Sequence, residues 1–109
     1  MKKNICVYCS SSEYLDEKFY KVAYEFGKMI AKSGDNLVYG GSTCGCMGKV
    51  ANGVLENGGK VIGIIPKAIM EKGIANPDAS EIIVSNDMND RKMMMEEKAD
   101  AFVALPGSF

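Results

Sequence analysis

The sequence predicts an α/β fold built on a mostly parallel, doubly wound β-sheet, and three observations predict it. Apolar runs recur at 4–9, 37–39, 61–65, 82–84 and 101–105, each short and rich in Val and Ile. Helical patterns fill most of the gaps between them, and strand alternating with helix is the pattern of parallel strands joined by right-handed crossovers. No internal repeat, linker or low-complexity segment divides the 109 residues, so residues 1–109 are expected to form a single domain.

Each element has a local reason. The first run, Ile5-Cys6-Val7-Tyr8-Cys9, reads as a strand that leads into Ser10-Ser11-Ser12. A helix over about 16 to 33 sets Phe19, Val22, Ala23, Phe26, Met29 and Ile30 on one stripe, and Gly34 is placed to terminate it. A second helix, about 48 to 57, turns Val50, Val54 and Leu55 inward and is closed by Gly58-Gly59. Pro66 precedes one or two helical turns at 67–72, and residues 73–80, with Gly73, Asn76-Pro77 and Ser80, read as loop. Asp87 is the expected N-cap of a further helix that carries Arg91 and Lys92 in its first turns.

The loop between the second strand and second helix is the most telling stretch. Tyr39-Gly40-Gly41-Ser42-Thr43-Cys44-Gly45-Cys46-Met47-Gly48 holds four glycines in nine positions. Glycine reaches positive φ at little cost and has no Cβ to hold a ligand away, while the next helix offers unpaired N–H groups to an anion. The natural guest is a phosphate. The pattern is neither G-x-G-x-x-G nor a Walker loop, and a strand-to-helix turn that simply needs several glycines would look the same.

Composition narrows the chemistry. A net charge of −1 with interspersed signs gives no broad basic field, which argues against nucleic acid or a membrane surface as principal partner. There is no apolar run approaching 18 residues, and Met1-Lys2-Lys3 leads into a six-residue run too short for a signal-peptide core, so a cytoplasmic protein is expected. The absence of histidine excludes a Ser-His-Asp triad, a Cys-His pair and any histidine-bearing metal site. Four cysteines, at 6, 9, 44 and 46, include C-x-x-C and C-x-C spacings. Cys6 and Cys9, three apart on a strand, should point to opposite faces, so free buried thiols are expected rather than zinc.

In a parallel sheet every loop leaving a strand's C-terminal end lies on one edge, so residues 9–12, 40–48, 85–90 and 106–109 should gather around one crevice. Glycine-rich backbone, serine hydroxyls and Arg91-Lys92 would then converge, a combination suited to a phosphorylated small molecule, most simply a nucleotide.

Tyr8-Cys9-Ser10-Ser11-Ser12, the glycine-rich loop, Val61-Ile62-Gly63-Ile64-Ile65-Pro66, Met88-Asn89-Asp90-Arg91-Lys92 and Ala104-Leu105-Pro106-Gly107 fall in the order and spacing of the LONELY GUY (LOG) proteins. The chain resembles this family over its whole length. The resemblance implies a Rossmann-like fold, cytokinin riboside 5′-monophosphate phosphoribohydrolase activity and a homodimer with its sites near the interface. It also implies that the family's alternative label, lysine decarboxylase, is a misnomer. Of the two family signatures, the Arg-Lys pair at a helix start is present as Arg91-Lys92. The second, Pro-Gly-Gly-x-Gly-Thr-x-x-Glu, begins at Pro106-Gly107, has Ser108 in place of the second glycine, and its Gly-Thr and glutamate fall beyond Phe109. The resemblance therefore implies the N-terminal part of such a domain, truncated after about five strands and lacking its C-terminal portion, with the fifth strand's apolar surface uncovered. Two smaller departures are Ser10, where glycine is common, and Gly73, where relatives often carry a carboxylate.

Carried over residue by residue, the resemblance makes Arg91 catalytic as well as substrate-binding. Lys92, Ser10, Ser11, Gly40, Gly41, Ser42, Met88, Pro106, Gly107 and Ser108 become substrate contacts. The substrate would be an AMP-like nucleoside 5′-monophosphate, with no metal or organic cofactor. Cleaving an N-glycosidic bond builds positive charge on the ribose and leaves electron density on the departing base, so a carboxylate and an arginine answer the two needs. Arg91 has a plain alternative as the i,i+4 partner of Asp87, and serines after a strand also simply cap turns. Met93-Met94-Met95 reads as core and dimer packing, and Glu96-Glu97-Lys98 as a solvated face. A non-catalytic nucleotide or cofactor carrier on the same fold remains the second function class. The decarboxylase label would need pyridoxal phosphate on a lysine in a context this sequence does not show.

Overall fold

The computed structural model describes residues 2–9, 16–41, 45–73 and 75–105. The elements run β1 (Asn4–Tyr8), α1 (Glu17–Lys32), β2 (Asn36–Tyr39), α2 (Gly45–Glu56), β3 (Lys60–Pro66), α3 (Lys67–Met70), β4 (Glu81–Ser85), α4 (Met88–Lys98) and β5 (Ala101–Ala104). All five strands lie in one sheet of order β4-β3-β2-β1-β5, and every pairing is parallel. The chain steps from β1 to β4 in one direction and then crosses back to set β5 on the other side of β1. Because crossovers are right-handed, the reversal sends α4 to the face opposite α1 and α2, where it touches β1, β2, β3 and β4 on its way.

Two cores follow from the period-2 alternation of the strands. Val7, Leu37, Tyr39 and Val61 pack with Ala23 and Ile30 of α1 and Val50 and Val54 of α2. Cys6, Val38, Ile62 and Ile64 pack under Met95 of α4. Cys6 and Cys9 fall in different cores, as their spacing requires, and Cys6, Cys9 and Cys46 are free and buried. Cys44 lies outside the described residues. Among the described residues no helix is long and apolar enough to cross a membrane.

Helix α1 starts where Asp16 accepts a bond from the Lys18 backbone N–H at 3.1 Å, and its exit turn uses Gly34 at φ 79°. Its expected stripe needs correction: Phe19, Ala23, Phe26 and Ile30 face the core, but Val22 and Met29 are 46% and 62% exposed. The reason is the close crossing of α1 with α2. A Cβ on Gly27 would collide with the Val50 carbonyl, and one on Gly53 with the Tyr24 carbonyl. That contact centres the buried stripe on Ala23, Gly27 and Ile30 and rotates Val22 and Met29 to its flank.

Helix α2 begins at Gly45, so the last residues of the expected 40–48 loop are helical. Burial explains the earlier start, since Cys46 is fully enclosed and its thiol donates to the Phe19 carbonyl of α1 at 3.7 Å. At α4, the Asp87 side chain accepts from the Asp90 N–H at 2.8 Å while the Asp90 side chain accepts from the Asn86 N–H at 2.9 Å, and the two bonds together fix where the helix starts. The three consecutive methionines divide as their angular spacing demands, with Met95 buried, Met94 half-buried and Met93 exposed. On β5, Phe102 is 51% exposed and stacks on Tyr8 with ring centroids 6.2 Å apart.

Burial pushes the Cys9 thiol and the Tyr39 phenol each up to about 12, from ordinary values of 9.0 and 10.0. Raised folded-state values mean the stabilisation is complete below the unfolded values and is lost as pH climbs towards 12. Thermal stability is therefore expected to hold level from pH 7 to 8 and to fall progressively above pH 9, a midpoint series that calorimetry can follow. Cys9→Ala should flatten the earliest part of that fall, and an unaltered profile in the variant would place the alkaline transition elsewhere.

Candidate functional site

The topological reversal lies between β1 and β5, and in an open parallel sheet that is where a crevice forms at the strands' C-terminal ends. A cleft of about 350 Å³ lies on the α4 face of the sheet, lined by Tyr8, Met88, Asn89, Arg91, Lys92 and Met95. The capped N-terminus of α4 forms one wall, and Tyr8, from the last position of β1, supplies another.

Arg91 is the centre of this arrangement. Its guanidinium lies directly on Gly40, where a Cβ would collide with Nη2 and meet the Met47 methyl at 3.0 Å. Nη1 donates weakly to the Met88 sulfur at 3.7 Å, and Nε is buried without a hydrogen-bond partner among the described residues. Burial lowers the Arg91 pKa, an effect opposed by Cys6 and Tyr8, but an arginine remains a cation. The alternative reading as an ion pair with Asp87 does not hold. The Asp87 carboxylate is engaged in the helix cap, and the Arg91 backbone N–H makes the ordinary helical bond to the Asp87 carbonyl at 3.0 Å. A half-buried guanidinium with an idle donor, beside a helix N-terminus, is arranged to receive an anion through charge-assisted hydrogen bonds.

Beneath it, burial raises the Cys6 thiol, with smaller opposing effects from Tyr8 and Arg91. A protonated Cys6 adds no negative charge to the floor. Tyr8 is also raised, mainly by burial and then by Cys6, so its phenol stays neutral near pH 7.

Of the expected site residues, Arg91, Lys92 and Met88 line the one cleft, and Gly40 lies under Arg91 rather than at the cleft wall. Lys92 is exposed, a turn of about 100° from Arg91, and both reach the cleft because it wraps the helix N-terminus. Gly41, at φ 83°, directs its carbonyl to the Asn76 N–H at 2.9 Å and so faces the loop after α3. Ser10, Ser11, Ser42, Pro106, Gly107 and Ser108 lie outside the described residues. Tyr8, Asn89 and Met95 were not among the expected site residues. Strand alternation was a usable signal for Tyr8, which shares the α4 face with Cys6.

Gly40 has no positive φ, so alanine suits its backbone, and the atom its Cβ would strike is the far end of a flexible side chain. Gly40→Ala is thus expected to leave the fold intact, with a melting temperature within a few degrees of the parent, roughly 1 kcal/mol or less. The guanidinium should be displaced, read as a shift of the Arg91 Nε resonance in nitrogen NMR. An unshifted resonance would show that Arg91 does not rest on this glycine.

With this geometry in view, comparison with known proteins is informative. Residues 47–109 match the sequence profile of the family described as "Possible lysine decarboxylase". The chain is 39% identical over 107 residues to the rice (Oryza sativa subsp. japonica) cytokinin riboside 5′-monophosphate phosphoribohydrolase LOG, covering 98% of this chain and 44% of that protein. It is 40% identical over 107 residues to an Arabidopsis thaliana enzyme of the same name, covering 98% of this chain and 47% of the relative. The chain thus spans about half the length of these curated relatives. Among solved structures, it resembles the molybdenum cofactor binding protein of Rippkaea orientalis with a TM-score of 0.82 and 26% identity, over 96% of this chain and 63% of that one. It also resembles the molybdenum cofactor carrier protein of Chlamydomonas reinhardtii, with a TM-score of 0.79 and 27% identity over 96% and 62% of the two chains. Profile, sequence relatives and parallel Rossmann-type sheet agree, and the chain belongs to the LOG family, the family carrying the description "Possible lysine decarboxylase".

Proposed function

We propose that the protein containing this chain is a nucleotide N-ribohydrolase. It would hydrolyse the N-glycosidic bond of a nucleoside 5′-monophosphate of the cytokinin type, giving free base and ribose 5-phosphate. The observation that carries the reading is the half-buried Arg91 guanidinium, with its idle Nε, at the N-terminus of α4 in the switch-point cleft. Relatives named as acting on a riboside 5′-monophosphate supply the substrate class. In this reaction the bond from ribose C1′ to the base nitrogen breaks, water oxygen bonds to C1′, and a proton from water goes to the base.

Arg91 would hold the substrate and meet negative charge as it develops, and Lys92 at the cleft rim would add a second cation. Met88 would contact the substrate at the cleft's edge. Gly40 and Gly41, with Ser10, Ser11, Ser42 and residues 106–108, would supply the close-approaching backbone and hydroxyls. A carboxylate for the ribose cation would come from the family's Gly-Thr-x-x-Glu loop, which these 109 residues do not include. The reading extends to a cytoplasmic homodimer that needs no metal or organic cofactor.

A second reading, a non-catalytic carrier of a nucleotide or related cofactor, is favoured by the likeness to two molybdenum cofactor proteins. The test is AMP incubated with protein that carries the Gly-Thr-x-x-Glu loop, followed by chromatography. Equal release of adenine and ribose 5-phosphate is expected. Tight binding without base release would favour the carrier. Pyridoxal phosphate with lysine should give neither an aldimine absorbance band nor carbon dioxide, and stoichiometric aldimine at one lysine would revive decarboxylation.

A further inference from the structure

Asn76 lies in the loop between α3 and β4, far in sequence from both signatures, yet it is among the few polar residues that are buried, at 4% exposure. Its backbone N–H donates to the Gly41 carbonyl at 2.9 Å. Its side-chain amide donates to the Tyr39 hydroxyl at 3.1 Å, and its side-chain oxygen accepts from the Asp78 N–H at 2.9 Å. The oxygen and nitrogen assignment is fixed by those partners, since an N–H can only donate and the opposite amide orientation would set two donors face to face.

The consequence reaches the cleft through the glycines. Tyr39 and Gly41 flank Gly40, and Asn76 grips both, one through the side chain and the other through the backbone. A Cβ on Gly41, at φ 83°, would meet Ile65 at 3.3 Å and the Gly63 Cα at 3.8 Å, so β3 packs close to the turn that Asn76 bonds. Gly40 in turn is the surface on which the Arg91 guanidinium rests. We infer that Asn76 is a positioning residue, which fixes the Tyr39-Gly40-Gly41 turn and through it the place of Arg91 in the cleft. The sequence carries a reason for asparagine here, because Asn76-Pro77 starts a turn whose next N–H, that of Asp78, the side chain then accepts. That turn leaves the amide free to reach Tyr39.

The inference rests on the reading of Arg91 as the group that receives the substrate's charge, and the test separates the two. Asn76→Ala leaves the Tyr39 hydroxyl and the Asp78 N–H without their partner. It is expected to weaken AMP binding about ten-fold, while binding of adenosine, which lacks the phosphate, changes less than about two-fold. In the protein without nucleotide, the Arg91 Nε resonance and the Gly40 and Gly41 amides should shift. Tyr39→Phe removes the side-chain arm alone and should produce the same shifts at smaller size, which keeps the inference testable if the alanine variant does not fold. A purely structural role would lower the melting temperature but leave the Arg91 resonance and the ratio of AMP to adenosine affinity at their parent values, and that result overturns the inference. If the parent protein binds neither AMP nor adenosine, the proposed function fails, and the Arg91 and glycine resonances still decide whether Asn76 positions the turn.

Discussion

Arg91→Ala, in a protein that also carries the Gly-Thr-x-x-Glu loop, is expected to lose at least about 10² in kcat/KM for AMP hydrolysis, with its melting temperature little changed. The size of the effect follows from where the side chain sits. An exposed arginine paired with a helical carboxylate would be worth about 0.2–1 kcal/mol, a factor of about five or less. Arg91 makes no such pair among the described residues: its Nε is enclosed and unpartnered, and its side chain makes a weak bond to the Met88 sulfur. Removing it therefore takes little from the fold and takes a preorganised cation from the cleft. Arg91→Lys restores the charge but not the planar fork, so it should recover only part of the loss. Lys92→Ala, at the exposed rim, should cost less than Arg91→Ala because solvent screens its charge. Steady-state kinetics on the three variants would settle the ranking. Normal turnover by Arg91→Ala would move the chemistry to other residues.

Much of this site was legible in sequence because its parts obey short-range rules. Strand positions came from Val- and Ile-rich runs, the parallel sheet from their alternation with helices, and the common edge from the geometry of parallel strands. Asp87 as N-cap was readable from its place before Arg91, and the structure adds the bond that the Asp90 carboxylate accepts from the Asn86 N–H. What escaped depended on packing between distant segments. The tight α1–α2 crossing at Gly27 and Gly53 turned Val22 and Met29 outward, and no periodicity within α1 reports on a neighbour's glycine. The helical start at Gly45 depended on burying Cys46 beneath α1. Gly40 was read as a residue that lets a phosphate approach, and the structure adds that its missing side chain makes room for the Arg91 guanidinium. Asn76 escaped altogether, since an Asn-Pro pair in a loop looks alike whether it is exposed or is buried with four hydrogen bonds.

The largest change in activity is expected from the carboxylate rather than the arginine. Among the described residues the cleft offers cations, a neutral phenol, the Asn89 amide and apolar side chains, and no carboxylate lines it. Such a set suits the phosphate and the departing base but leaves the ribose, which becomes cationic as the glycosidic bond lengthens, without an opposite charge. The 109-residue chain is accordingly expected to bind AMP weakly through Arg91 and the α4 N-terminus, and to release little or no adenine. Protein carrying the Gly-Thr-x-x-Glu loop should release base at least on the order of 10²–10³ faster, the usual cost of losing one preorganised electrostatic group. Replacing the loop glutamate by glutamine should return the rate to that of the shorter chain while AMP affinity stays within about three-fold, because the ground-state ribose is neutral and gains little from the charge. Released adenine measured by chromatography, alongside AMP binding by calorimetry, separates the two effects. Rapid hydrolysis by the 109-residue chain would show that the ribose cation is met by a group other than that glutamate. An equal loss of binding and rate in the glutamine variant would mean that the carboxylate holds substrate instead of stabilising the transition state.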